Sequence, residues 1–335
     1  MSSTKDEAAP KNNAVRPPSF WRRFGLQVGI WSVGLVMWLS FVALAPGAFA
    51  HKNIYLAFAS TTPIFALMAI PLTLVIITGE IDLSFPSIMA LAACTFSEMA
   101  QSGVSIWISL IVGLLVGFIC GLVNGYLVTK FNLPSLVITI GTQFLFVGID
   151  LAWTNGSGVD LTPAKYNTIN KLLVGRTFGG VANQFWWTVL VAIFLWFLLN
   201  RTKFGSHVFL TGDNKISAQL MGVNIKRVKI MTFSILGTFA ALAGIIGSFE
   251  VSYFWPTMGS GLLLSAIASV FLGGTSVYGG TGSITGSFVG AFIIGAINAG
   301  IVASGVNAFY TQIFFGLVII ISVIMQALIS KRIRK

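Results

Sequence analysis

The sequence predicts an all-α polytopic membrane protein, a transmembrane helical bundle of about ten spans. Three observations carry that expectation. Of the 335 residues, 56% are hydrophobic and 9% are charged, against about 25% charged in a soluble domain. The apolar residues fall into runs near the ~20 that a spanning helix needs. Sixteen of the twenty Lys and Arg residues lie at four places: the N-terminus, Lys130, the stretch from Arg201 to Lys229, and the tail Lys331-Arg332-Ile333-Arg334-Lys335. Short loops rich in Lys and Arg stay on the cytoplasmic side, so the clustering sets an orientation as well as a fold.

The elements follow in order. Residues 1–22 are polar and contain proline, and read as a disordered cytoplasmic arm. They are not a signal peptide, because the apolar run that follows is too long and lacks a cleavage context. Residues 23–330 form a single transmembrane domain. Spans are predicted near 25–45, 54–77, 84–102, 105–128, 134–153, 184–200, 228–249, 262–275, 282–303 and 306–329. The run at 262–275 is short and bounded by glycine, which marks it as broken or re-entrant. With the N-terminus inside, ten spans return the C-terminus and its basic tail, 331–335, to the cytoplasm. Only Lys52, Lys165, Lys171 and Arg176 then lie outside. The largest external loop is 154–183 and the largest cytoplasmic loop is 201–227. Both exceed the usual length of a connection in a compact bundle, and so are expected to meet partners.

The net charge is +11. These cations border apolar spans, and no basic helix with interleaved aromatics is present, so nucleic acid is not an expected partner. Cys94 and Cys120 each sit in an apolar run, where free thiols pack as small hydrophobes. Neither a metal spacing nor a disulfide framework is present.

Glycines point to an internal symmetry. Gly113, Gly117, Gly121 and Gly125 recur every four residues in the fourth span. Gly282, Gly286, Gly290, Gly295 and Gly300 nearly do so in the ninth. Such ladders let helices approach closely. Each is also the third member of a set of four, spans 2–5 and spans 7–10, and the two sets run in opposite directions. Inverted repeats of this kind build transporters whose path lies at the repeat interface.

Candidate path residues are the rare polar groups near or inside spans. Glu80 and Asp82 lie between two apolar runs, bracketed by Gly79 and Pro86. A carboxylate facing lipid at mid-depth costs roughly 2.5–3.5 kcal/mol. The pair therefore either caps a helix at the interface or lines a cavity at a helix break. Asn124, Gln143 and Asn298 are amides in apolar spans, suited to interhelical hydrogen bonds or to a polar lining. Glu250 and Trp255 mark the outer end of the seventh span, as belt residues or as part of the path.

The run Gly273-Gly274-Thr275-Ser276-Val277-Tyr278-Gly279-Gly280-Thr281-Gly282-Ser283 is not a phosphate cradle, since it lacks the Gly-Lys-Ser/Thr ending. No such ending occurs in the chain. No catalytic constellation stands out, so the chain is expected to be a transport subunit rather than an enzyme, without an ATPase site or cofactor.

Several segments resemble one family. Thr78-Gly79-Glu80-Ile81-Asp82-Leu83-Ser84 is similar to the Gly-Gly-Ile-Asp-Leu-Ser signature of ribose-type permease subunits of binding-protein-dependent ABC importers. Leu133-Pro134-Ser135-Leu136-Val137-Ile138-Thr139-Ile140-Gly141-Thr142 resembles that family's second block. Gly212-Asp213-Asn214 with Ala218-Gln219-Leu220-Met221-Gly222-Val223 resembles its cytoplasmic block, and 266–290 its longest signature. The order holds from about residue 54 onward. Three departures stand out: Glu80 replaces a glycine, Phe85-Pro86 replace Val-Gly, and Leu263 and Ser265 replace Glu and Asp. The resemblance implies a multi-pass protein of the bacterial plasma (inner) membrane with both termini cytoplasmic. It implies two permease chains, alike or different, two cytoplasmic ATP-binding subunits and an extracytoplasmic solute-binding protein. The segment with Gly212, Asp213, Asn214, Ala218 and Gly222 resembles the part that couples to the ATPase. The implied cargo is a monosaccharide or related polar solute. The rival class is an ion-coupled carrier, with Glu80, Asp82 and Glu250 as proton or sodium sites.

Overall fold

A computed structural model describes residues 32, 35, 36, 38–43, 45–177, 179–303, 307 and 309–333. The N-terminal arm and most of the first predicted span lie outside these residues. The described part of that span, at 32, 35, 36 and 38–43, is helical.

The first long helix, α1 (Lys52–Ile77), contains Pro63 and Pro71 and is buried on nearly every face beyond Thr61. A helix apolar all round belongs at the centre of a bundle, and α1 is there. It ends at Thr78, and Gly79 follows at φ +79°, a left-handed turn that glycine adopts without a Cβ penalty. After the break at 78–84, α2 (Phe85–Gln101) starts with Pro86 in its first turn, where a missing N–H costs nothing. Next come α3 (Ile106–Phe131) and α4 (Ser135–Thr154), which end on Asn132 and Asn155 in the left-handed region.

The stretch 155–182 then carries a two-residue strand, β1 (Val159–Asp160), a short helix, α5 (Thr168–Val174), and a hairpin of β2 (Arg176–Thr177) and β3 (Val181–Ala182). Asp160 accepts from the Thr162 N–H (2.9 Å) and hydroxyl (2.6 Å), which hold its carboxyl below the ordinary aspartate value. The chain continues through α6 (Asn183–Arg201), α7 (Lys203–Asp213) and α8 (Lys215–Leu220) to the second central helix, α9 (Ile225–Val251). Asn214 caps α8 by accepting from the Ser217 N–H, and Asn224 caps α9 by accepting from the Arg227 N–H, both at 3.0 Å. Asn and Asp side chains are suited to this role. Strand β4 (Tyr253–Phe254) pairs antiparallel with β1. Last come α10 (Leu263–Leu272), α11 (Ile284–Ala303) and α12 (Tyr310–Ile333).

The inverted repeat is visible in the packing. The units are α1–α4 and α9–α12. Contacts of α3 with α9 correspond to those of α11 with α1, α2 with α3 to α10 with α11, and α2 with α4 to α10 with α12. The glycine ladders make these contacts. A methyl group on Gly121 would meet the carbonyl of Phe233, and one on Gly125 the backbone of Ile230. On the other side, Gly290 lies against Ser269 and Gly295 against Thr62. Without side chains in between, backbones meet directly. The faces of α3, α4 and α6 that point away from the core carry exposed apolar residues such as Ile111, Phe144 and Ile193, the surface expected against lipid.

Six helices among the described residues are long and apolar enough to cross a membrane: α1, α3, α4, α6, α9 and the Ile284–Ile301 part of α11. The segment expected at 262–275 is short and interrupted, as its glycine boundaries indicate. The helix there, α10, has ten residues, about 15 Å of length against a hydrocarbon core of about 30 Å. The chain leading to it, 252–262, is a strand, turns and one 3-10 turn. Each repeat therefore has a shortened second helix entered through a break, at 78–84 and at 252–262. The two breaks approach each other where Gly259 packs on the carbonyl of Pro86.

Candidate functional site

Two ends of the bundle carry different chemistry. At the basic end, the break after α1 is held by buried polar contacts. Asp82 accepts from the N–H and the hydroxyl of Ser84, both at 2.6 Å. Asn124, on α3, donates to the Ser84 hydroxyl at 2.6 Å and lies 3.5 Å from the second Asp82 oxygen. The Ile81 N–H donates to Ser135 of α4 at 3.0 Å. All of Asp82, Ser84 and Asn124 are buried. Buried polar groups must be paired, and here the pairing fixes the turn that launches α2.

Glu80 points elsewhere. Its carboxylate contacts the ammonium of Lys229, on the first turns of α9, and lies 3.7 Å from Lys215 at the start of α8. These groups border a cavity of about 480 Å³ that also receives Thr129, Ser135 and Lys226.

The segment α7–α8 is keyed into this end. A Cβ on Gly212 would collide with the carbonyl oxygen of Ile77, which also accepts from the Gly280 N–H at 2.9 Å. Asp213 is exposed beside Gly280. Ala218 is buried, and its carbonyl accepts from the Val223 N–H at 3.0 Å. Gly222 is exposed, with φ +78°. On the outer side of α8, Ile216 is 72% and Leu220 84% exposed, with Met221 beside them at 60%. Two large apolar side chains on one short helix, with a third at its end, form an exposed apolar cluster of the kind found at contact surfaces.

At the opposite end a cavity of about 810 Å³ opens between α1, α9, the 252–262 segment, α11 and α12. Trp255 stands in its lining, as do Asn298 of α11, Met89 of α2 and Met258. Glu250 is half-buried and accepts from Gln184 of α6 at 2.8 Å, while Gln184 also donates to the Ser60 carbonyl of α1 at 3.2 Å. Glu250 thus ties three helices near the cavity. Gln143 is half-buried on α4 and lines neither cavity.

The structure brings Glu80, Asp82 and Asn124 together at one end, and Trp255 and Asn298 together at the other. Lys229, Lys215 and Gln184 were not singled out from the sequence. Lys229 carried a signal, being a cation just inside an apolar run. Asp150 carried a weaker one. It is buried on α4, beside the thiol of Cys94 on α2.

A helical bundle with an inverted repeat, a cavity at one end and a projecting apolar helix at the other is the architecture of a membrane permease. Residues 54–323 match the family described as the branched-chain amino acid transport system / permease component. The chain is 37% identical over 295 residues to the ribose import permease protein RbsC of Bacillus subtilis (strain 168), covering 88% of this chain and 91% of that one. It is 32% identical over 296 residues to RbsC of Escherichia coli (strain K12), covering 88% and 92%. It is 34% identical over 261 residues to the autoinducer 2 import system permease protein LsrC of Salmonella typhi, covering 78% and 74%. No solved structure matches the chain. The chain belongs to this permease family, in its ribose-type branch.

Proposed function

We propose that this chain is the membrane subunit of an importer that carries a monosaccharide or related polar solute inward, driven by ATP hydrolysed on separate cytoplasmic subunits. One observation carries the reading. The same chain has a cavity of about 810 Å³ at one end and, at the other, the exposed apolar residues of α8. The names of its relatives support the cargo class.

In this reading α7 and α8 seat on the ATP-binding subunit. Gly212 and Ala218 give the segment its fit, Asp213 and Asn214 form the joint between the two helices, and Gly222 forms the exit turn. Trp255 and Asn298 line the outer part of the path, and Glu250 holds its mouth. Asp82 and Asn124 set the break at 78–84 and do not touch solute. A solute-binding protein delivers cargo at the 154–183 side, and a second permease chain completes the unit. The clustering of Lys and Arg at the α7–α8 side supports an orientation with that side, and both termini, in the cytoplasm of a bacterial cell. Transport is driven only if ATP favours one state of the pair of cavities over the other.

The three acids offered by the rival carrier are already engaged, Glu80 by Lys229, Asp82 by Ser84 and Glu250 by Gln184. The test is uptake into vesicles holding the chain with its ATP-binding subunits and binding protein. Uptake is expected to require ATP and to survive an uncoupler. Accumulation of solute by the chain alone, abolished by an uncoupler, would overturn the reading.

A further inference from the structure

We propose that Glu80 is a positioning residue that passes motion of α8 to the break at 78–84 and so to the outer cavity, through its ion pairs with Lys215 and Lys229. The proposal rests on the importer reading and adds a route for the coupling.

The two pairs differ in kind. The side chains of Glu80 and Lys229 are each 10% exposed. A carboxylate and an ammonium withdrawn from water to this degree hold each other, because either alone would be an unpaired buried charge. The Lys215 side chain is 58% exposed and its ammonium stands 3.7 Å away. A pair so open to water is weak and exchangeable. Lys229 therefore fixes Glu80 to the start of α9, and Lys215 links α8 to it by a bond that can lengthen and re-form. Lys226 is the further cation bordering the same cavity.

Downstream the connection is covalent and short. Two residues after Glu80, Asp82 fixes Ser84. Ser84 accepts from Asn124 and opens α2. One turn on, Met89 of α2 lines the outer cavity. The left-handed Gly79 aims this segment at the lysines, and the Gly212–Ile77–Gly280 contact beside it supplies a close-packed pivot. A displaced α8 pulls on one carboxylate, and that carboxylate belongs to the turn that sets α2. A discrete rearrangement of packed elements is how such shifts are amplified.

The experiment uses the full complex in proteoliposomes, reading solute carried per ATP hydrolysed. Glu80→Gln and Lys215→Gln are expected to lower that ratio by about fivefold or more, the lower range of ordinary coupling between sites. Glu80→Asp is expected to restore most of it. Lys215 is exposed, so Lys215→Gln folds even where Glu80→Gln does not. An unchanged ratio in Lys215→Gln overturns the proposal, as do equal falls in hydrolysis and uptake that leave the ratio intact. A parent complex without ATP-driven uptake overturns the importer reading and this role with it.

Discussion

Gly212 has no room for a methyl group. The oxygen in the way is that of Ile77, a backbone atom at the buried end of α1, so it cannot swing aside as a side chain would. Gly212→Ala is expected to destabilise the protein by about 1–3 kcal/mol, the usual cost of overpacking, read as a lower thermal midpoint in detergent. An unchanged midpoint would show that the joint between α7 and α1 is loose. Asp82 tests a different kind of role. Asp82→Ala strips the Ser84 N–H and hydroxyl of their acceptor, and a buried donor left unmade costs about 1–3 kcal/mol. In the proposed reading Asp82 holds the turn without touching solute, so the maximal uptake rate is expected to fall while the half-saturating solute concentration stays the same. A shifted half-saturation would place its carboxylate in the path. The sequence made both acids of the break visible, because two carboxylates between apolar runs cannot face lipid. It did not reveal that they part company, since the partner of Glu80 lies 149 positions away on α9 and no local pattern joins them.

Among the elements, α8 offers the sharpest test. Its buried anchor is Ala218, while Ile216 and Leu220 face water. Leu220→Lys is expected to leave stability within about 0.5 kcal/mol, as surface substitutions do, and to reduce capture of the ATP-binding subunit at least tenfold. Full capture would move the docking site elsewhere on the cytoplasmic face. The existence of the long helices was legible because their apolar runs match the membrane. Their ends were less so. The last helix, expected at 306–329, extends to Ile333. The eighth segment was legible as interrupted, because it is short and bounded by glycine. Its entry was not: the left-handed Ser252, the strand pairing with β1 and the proline at 256 keep 252–262 out of a continuous helix.

For the whole molecule the inverted repeat is the organising fact, and the matching positions of the two glycine ladders point to it. What they could not give is which helices they join. The ladder of α3 serves a helix of the other repeat, α9, so the two halves are interlocked rather than set side by side. The orientation rests on the cations alone and is open to direct test. Single cysteines replacing Lys165 and Lys215 are expected to react with a membrane-impermeant maleimide from outside and from inside respectively. Both reacting from one side would break the ten-span count, and the reversed pattern would invert the membrane placement. Cys94 and Cys120 are buried and should remain silent in that assay.

The small ladder between β1 and β4 joins Val159 to Phe254 and Asp160 to Tyr253, and Trp255 is the very next residue. The outermost lobe and the rim of the cavity are thus stitched by backbone, so whatever lands on that lobe also handles the indole at the doorway. A visitor docking from outside would register there as a change in Trp255 emission, with the other tryptophans replaced by phenylalanine. Emission indifferent to the visitor would mean the stitch is slack.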